Sequence, residues 1–126
     1  MANTRTTPAE VIGRVDGIRP NAFDEHVKTG WINKVDGMVQ TEVLKLDEAE
    51  MKVYSYPQDA DEQLSVPHPY TDIYDFYLMA MIDFANNETE LYANDMTMFN
   101  NAFAEFKNSW QQKNYGADGL FVRNIW

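Results

Sequence analysis

The stretch Thr71-Asp72-Ile73-Tyr74-Asp75-Phe76-Tyr77-Leu78-Met79-Ala80-Met81-Ile82-Asp83-Phe84-Ala85-Asn86-Asn87 decides the fold. Tyr74, Phe76, Tyr77, Leu78, Met79, Ala80, Met81, Ile82 and Phe84 leave almost no polar side on a helix from Ile73 to about Ala85. A helix apolar nearly all round belongs at the centre of a helical assembly, because every side of it needs covering. Thr71 or Asp72 can cap its start, and Asn86-Asn87 marks the turn out of it.

On the C-terminal side a long helix is predicted from about Thr89 to Lys113. Tyr92, Met96, Phe99, Phe103, Phe106 and Trp110 recur at steps of four and three, a heptad-like seam. Asn94, Asn101, Glu105, Asn108 and Gln112 occupy its other face. This spacing suits a packing stripe better than a cofactor box. After Tyr115-Gly116 the period stops. The remaining segment, 117–126, holds Leu120, Phe121, Val122, Ile125 and Trp126, an apolar content unlike that of a disordered end. Ordering it costs about 1–2 kcal/mol per residue, which burial of these side chains can offset. It is expected to dock on its own bundle or on a neighbouring chain.

On the N-terminal side of the central helix, the helical period is missing between Asp47 and Pro69. Lys52-Val53-Tyr54-Ser55-Tyr56 and Gln63-Leu64-Ser65-Val66 read as two short strands around the turn Pro57-Gln58-Asp59-Ala60-Asp61, a hairpin at about 51–66. An isolated hairpin is marginal in water, so it must lean on helices or on another subunit. Before it, Val27, Trp31, Val35, Met38, Val39, Val43 and Leu46 mark a second helix, capped by Asn21 or Asp24 and running to about Lys45. Gly30 and Gly37 each cost that helix about 1 kcal/mol relative to alanine. They point to close approach of another backbone, or to a weak spot. Thr7-Pro8-Ala9-Glu10 has the form of a capping box for a first helix, with Val11, Ile12, Val15 and Ile18 following and Arg19-Pro20 ending it.

The fold expected is therefore mainly α. It is an elongated bundle of about four helices with a short β-hairpin between the second and third, and an extended C-terminal tail. One domain spans 1–116, and the tail spans 117–126. Elongation follows from size. The second and fourth helices would each be about 35 Å long, against a diameter of about 36 Å for a compact chain of this length. Elongated bundles leave apolar flanks that partners cover.

Composition narrows the function classes. The 126 residues suit a single core, and 44% of them are hydrophobic. A net charge of −10, from 20 acidic against 10 basic side chains, argues against gripping nucleic acid, which needs clustered Lys and Arg. It is compatible with a surface that lets DNA pass without sticking, or simply with solubility. The absence of cysteine removes disulfides, thiolate metal sites and cysteine nucleophiles. Met1 to Thr7 do not read as a signal peptide, and the apolar run Phe76–Ile82 is far short of a membrane span. A soluble chain made in a cytoplasm is expected.

Catalytic and ligand motifs are missing. His26 and His68 belong to no metal-ligand pattern, and Ser55, Ser65 and Ser109 lack a nucleophile-elbow context. Asp59, Asp61 and Gln63 hint at a calcium loop, but Leu64 stands where glycine must turn the chain. The acids Asp47, Glu48, Glu50, Asp59, Asp61 and Glu62 read as a solvated face. No enzyme, metal or cofactor is expected.

Taken together, the segments resemble the head–tail connector (adaptor) proteins of long-tailed bacteriophages. The resemblance rests on Thr7-Pro8-Ala9-Glu10-Val11-Ile12-Gly13-Arg14-Val15-Asp16 and Trp31-Ile32-Asn33-Lys34-Val35-Asp36-Gly37-Met38-Val39. It continues through Asp59-Ala60-Asp61-Glu62-Gln63-Leu64-Ser65-Val66-Pro67-His68-Pro69-Tyr70, and is strongest over Ile73 to Asn86 with Phe99-Asn100-Asn101-Ala102-Phe103 following. It covers most of the chain up to about Trp110, and order and spacing carry it. It implies a structural virion protein, assembled in a host bacterial cytoplasm and located at the head–tail junction. Copies would form a ring, usually dodecameric, beneath the portal, extending the DNA channel and meeting a neck or tail-completion protein. DNA would pass through without specific binding, and no membrane is involved. Leu120, Phe121, Val122, Ile125 and Trp126 are then candidates for portal docking, and Asp59, Asp61 and Glu62 for the channel or neck-facing surface. Two other readings are an acidic DNA mimic that inhibits a nucleic-acid-binding protein, and a small helical regulator with a ligand in its aromatic core.

Overall fold

A computed structural model describes residues 5–115, so the predicted boundary at 116 and the segment 117–126 lie outside the described residues. Four α-helices carry the fold: α1 (Pro8–Ile18), α2 (Glu25–Met38), α3 (Asp72–Ala85) and α4 (Thr89–Tyr115). α2 continues into a single π turn, Val39–Val43, and a short 3-10 turn follows at Glu48–Glu50. The chain is mainly helical, and α3 packs against all three other α-helices. It buries Ile73, Tyr74, Tyr77, Leu78, Met79, Ala80 and Ile82, the central place its composition predicts.

Cross-contacts set the helix directions. Arg14 pairs with Asp75 and Arg19 with Asp83, so α1 runs parallel to α3. Lys28 pairs with Asp16 and Asp36 meets Tyr74, so α2 runs antiparallel to both. The ring contacts Phe84–Tyr92, Tyr77–Phe99 and Tyr70–Phe106 run α4 antiparallel to α3. α1 and α3 therefore end, and α2 and α4 begin, at one end of the bundle. α4 has 27 residues against 14 in α3, so its C-terminal half passes beyond the start of α3.

Local chemistry explains the helix ends. Thr7 Oγ1 accepts from the Glu10 amide at 3.2 Å with Pro8 at the first turn, but the Glu10 carboxylate takes the Thr6 hydroxyl, so only half of the capping box forms. Asp24 caps α2 through the His26 amide at 2.7 Å. Neither Thr71 nor Asp72 caps α3 with its side chain; the helix grows out of turn bonds from Ile73 and Tyr74 back to Tyr70 and Thr71. Its exit is a Schellman motif. Asn87 adopts a left-handed φ of 60°, its amide bonds the Phe84 carbonyl, and the Glu88 amide bonds the Asp83 carbonyl. That motif folds α4 directly back onto α3.

The predicted hairpin is not there. Among the described residues no strand forms, and the one bridge joins Arg5 to Pro67. The turn at 57–61 is present, with bonds from Asp59 to Ser55 and from Ala60 to Pro57. The two flanking runs are extended but do not ladder with each other, because α2 takes their backbone. Asn33 accepts the Tyr54 amide at 2.7 Å and donates to the Tyr54 carbonyl at 2.8 Å. Gln40 does the same for Lys52, at 2.7 and 3.1 Å. Carboxamides present a donor and an acceptor side by side, so each imitates the edge of a neighbouring strand. The return run bonds elsewhere, from Leu64 to the Thr6 carbonyl and from Ser65 to Asp36.

The second helix also departs from expectation at two points. Its last turn is π, with the Leu44 amide on the Val39 carbonyl at 3.0 Å. Neither Gly30 nor Gly37 lies under another backbone, since a Cβ at either would meet nothing within 4 Å.

Candidate functional site

Three features stand out from the packing, and the first is an enclosed polar hub. Asp36 follows Ile32 by four residues and precedes Val39 and Val43 by three and seven, so it sits in the buried stripe of α2. It is fully buried. Its Oδ1 accepts from the Tyr74 hydroxyl at 2.5 Å and the Ser65 amide at 3.1 Å. Its Oδ2 accepts from the Ser65 hydroxyl at 2.8 Å, the Gln40 amide group at 2.9 Å and the Tyr54 hydroxyl at 3.3 Å. The Tyr74 hydroxyl in turn accepts from the Val66 amide at 3.0 Å. Burial, followed by the charge of Asp36, pushes both phenols above their ordinary values, so both remain protonated donors. A carboxylate surrounded by donors with no access to solvent has no lone pair left for a substrate. Its chemistry is to tie α2, α3 and the 52–66 segment together.

The second feature is an acid pair on one arginine. Arg19, just past α1, binds Asp83 of α3 and lies 3.7 Å from Asp95 of α4. Both carboxylates are buried, and Asp95 Oδ2 has no hydrogen-bond partner. Burial, then the hydrogen bond and charge of Asp83, raise the Asp95 carboxyl to about 7, against a smaller opposing pull from Arg19. With one guanidinium facing two carboxylates, the pair holds a proton below about pH 7.

The third feature is apolar and uncovered. Ile18, Val27, Phe84 and Leu91 are 62%, 43%, 65% and 42% exposed. All four belong to the end where α1 and α3 stop and α2 and α4 start. There Phe84, Ala85, Asn87, Glu88, Thr89 and Tyr92 line a groove of about 480 Å³. A second groove, of about 370 Å³, lies further along α4 between Met38, Glu42, Phe99, Phe103 and Lys107.

The residues predicted from sequence fall as follows. On the α4 seam Phe99 and Phe106 are buried, while Tyr92, Met96, Phe103 and Trp110 are half-buried. Asp59, Asp61 and Glu62 share the turn after Pro57. Asp59 is half-buried and accepts from the Ser55 amide at 2.8 Å, whereas Asp61 and Glu62 are exposed. Leu120, Phe121, Val122, Ile125 and Trp126 lie outside the described residues. His26 is exposed, bonds Asp24 and rests against Tyr56, and His68 is exposed. Among the described residues no group of three or more His, Cys, Asp or Glu is placed to hold a metal ion. No helix among them is long and apolar enough to cross a membrane. The hub itself escaped sequence reading. Its signal was an acid in register with Ile32, Val39 and Val43 on an apolar stripe.

The fold defines a small, mainly helical bundle with an enclosed polar hub and, among the described residues, an apolar end left uncovered. No family model, curated protein or solved structure matches this chain.

Proposed function

We propose that this chain is a head–tail connector subunit of a long-tailed bacteriophage. In this reading it is a structural virion protein whose copies form a ring under the portal, join capsid to tail and extend the DNA channel. The observation that carries the reading beyond sequence resemblance is the uncovered end formed by Ile18, Val27, Phe84 and Leu91. Four of the six large apolar side chains left exposed among the described residues gather at this end, Val53 and Met98 being the other two, and such a cluster suits a subunit interface. Portal protein below the capsid and a neck or tail-completion protein are the further partners this role needs. The disposition of the acids favours this role over a DNA mimic. Asp36, Asp83 and Asp95 are buried, and Asp16 and Asp75 are held by Lys28 and Arg14, which takes five carboxylates from any mimicking surface.

The test is mass measurement and electron microscopy of the purified full-length chain, alone and with portal. A ring-sized species on portal is expected, whether or not rings form without it. A monomer that stays compact and ignores portal would defeat the proposal.

A further inference from the structure

The groove between Phe84 and Tyr92 and the apolar segment after Tyr115 sit at opposite ends of α4, and distance decides which of them can meet. Tyr92 is about 35 Å from Tyr115 along a helix rising 1.5 Å per residue. Phe121 is six residues beyond Tyr115 and reaches at most about 21 Å from it. The Leu120-Phe121-Val122 run therefore falls short of the groove on its own chain. The corresponding run of a second copy has no such limit.

Charge points to the same occupant. Arg123 is the sole cation in 116–126. The Phe84–Tyr92 groove is lined by Glu88, with Glu90 exposed on the adjoining turn. The Phe103 groove lies within reach of its own chain's Phe121, but its lining sets Lys107 against Glu42 and so carries no net charge for Arg123. Phe84, 65% exposed, and an acid with no cation beside it in the groove lining are both at this end. We infer that residues 120–125 of one subunit seat in the Phe84–Tyr92 groove of the next, with Phe121 against Phe84 and Tyr92 and Arg123 beside Glu88. Donor and acceptor are different surfaces, so the contact is head-to-tail, the kind that closes into a ring when its rotation closes. The inference deepens the ring reading and rests on it, and it makes the neighbouring subunit, rather than portal, the first contact of this segment.

The chain contains no cysteine, which makes single replacements clean reporters. Full-length Phe84→Cys and full-length Phe121→Cys chains are mixed and oxidised, with each oxidised alone as background. Phe84 is 65% exposed, so its replacement leaves the core intact. Mixed disulfide dimers are expected, and the double variant Phe84→Cys/Phe121→Cys should give a ladder of covalent oligomers. Glu88→Lys should lower the yield about threefold, the scale of an exposed ion pair, and Arg123→Glu on the donor chain should restore it. Absence of the mixed dimer overturns the inference. So does preferential linkage of Phe121→Cys to Phe103→Cys within one chain, or to portal. Electron microscopy of the same samples on portal judges the ring separately. Rings without the 84–121 link would discard the tail contact and keep the ring. Linked open chains that never close would do the reverse.

Discussion

Among single side chains, Tyr74 does the most. Its hydroxyl donates to a buried carboxylate and accepts from the Val66 amide. Removing it leaves Asp36 short of its closest donor and strands a buried backbone donor, each loss worth about 1–3 kcal/mol. Tyr74→Phe should therefore destabilise the protein by about 3 kcal/mol in urea unfolding. Tyr54 makes two long contacts at 3.3 Å, so Tyr54→Phe should cost nearer 1 kcal/mol. Equal costs for the two would show that Asp36 is not the organising group. Residue identity at position 36 was plain in the sequence, but its partners were not. Ser65 is 29 residues away and Tyr74 is 38, and no local period links them.

The element most dependent on others is the 51–66 segment. It has no sheet partner, and Asn33 and Gln40 on α2 supply what a strand would. Asn33→Ala with Gln40→Ala removes four backbone bonds to Lys52 and Tyr54 and one to Asp36. Amide exchange at Lys52 and Tyr54 should accelerate by at least about tenfold while helicity falls little. A collapse of helicity would mean that the segment is core rather than cladding. The junction of α1, α3 and α4 gives a pH dependence. Asp95 is raised in the folded state to about 7 from an ordinary 3.8, with Asp83 and Arg19 facing it and Glu88 acting on Arg19. Between those values the folded chain binds a proton that the unfolded chain does not. This site's contribution is thus greatest at or below pH 4 and is lost as pH rises to 7. Asp95→Asn removes that dependence and should raise stability at pH 8 by on the order of 1 kcal/mol. Urea midpoints at pH 5.5 and pH 8 check this, and a wild-type midpoint higher at pH 8 would contradict it if Asp95→Asn left that slope unchanged.

At the scale of the whole molecule, charge and the proposed ring come together. A net charge of −10 per subunit, repeated around a ring, would repel DNA wherever it faced the channel. Asp61 and Glu62 are exposed on the turn whose Ala60 carbonyl accepts from the Ala9 amide of α1, whereas Asp59 accepts from the Ser55 amide, so the test leaves Asp59 in place. If the turn lines the channel, Asp61→Lys with Glu62→Lys should leave particles assembled but slow DNA ejection, most at low salt where screening is weak. Normal ejection with failed tail joining would move the turn to the neck interface.

What the sequence determined by itself was periodic and local. The all-round apolar run from Ile73 placed α3 at the centre, the four-and-three spacing from Tyr92 to Trp110 put an aromatic seam on α4, and Asn86-Asn87 marked an end that structure reproduces, while of the two caps offered for α2, Asn21 and Asp24, the structure takes Asp24. Each depends on residues within a turn or two, where side-chain spacing and backbone geometry are directly coupled. The tertiary structure decided what runs between distant segments. Extended runs at 52–56 and 63–66 looked like strand partners because β-propensity does not say what a backbone will bond to. The carboxamides of Asn33 and Gln40 bond the first run in place of the second. The same holds for Arg19 with Asp83 and Asp95, and for the apolar end. Which acids share a proton, and which apolar side chains stay uncovered, depends on how four helices meet, a matter of three-dimensional packing that no repeat in the chain records.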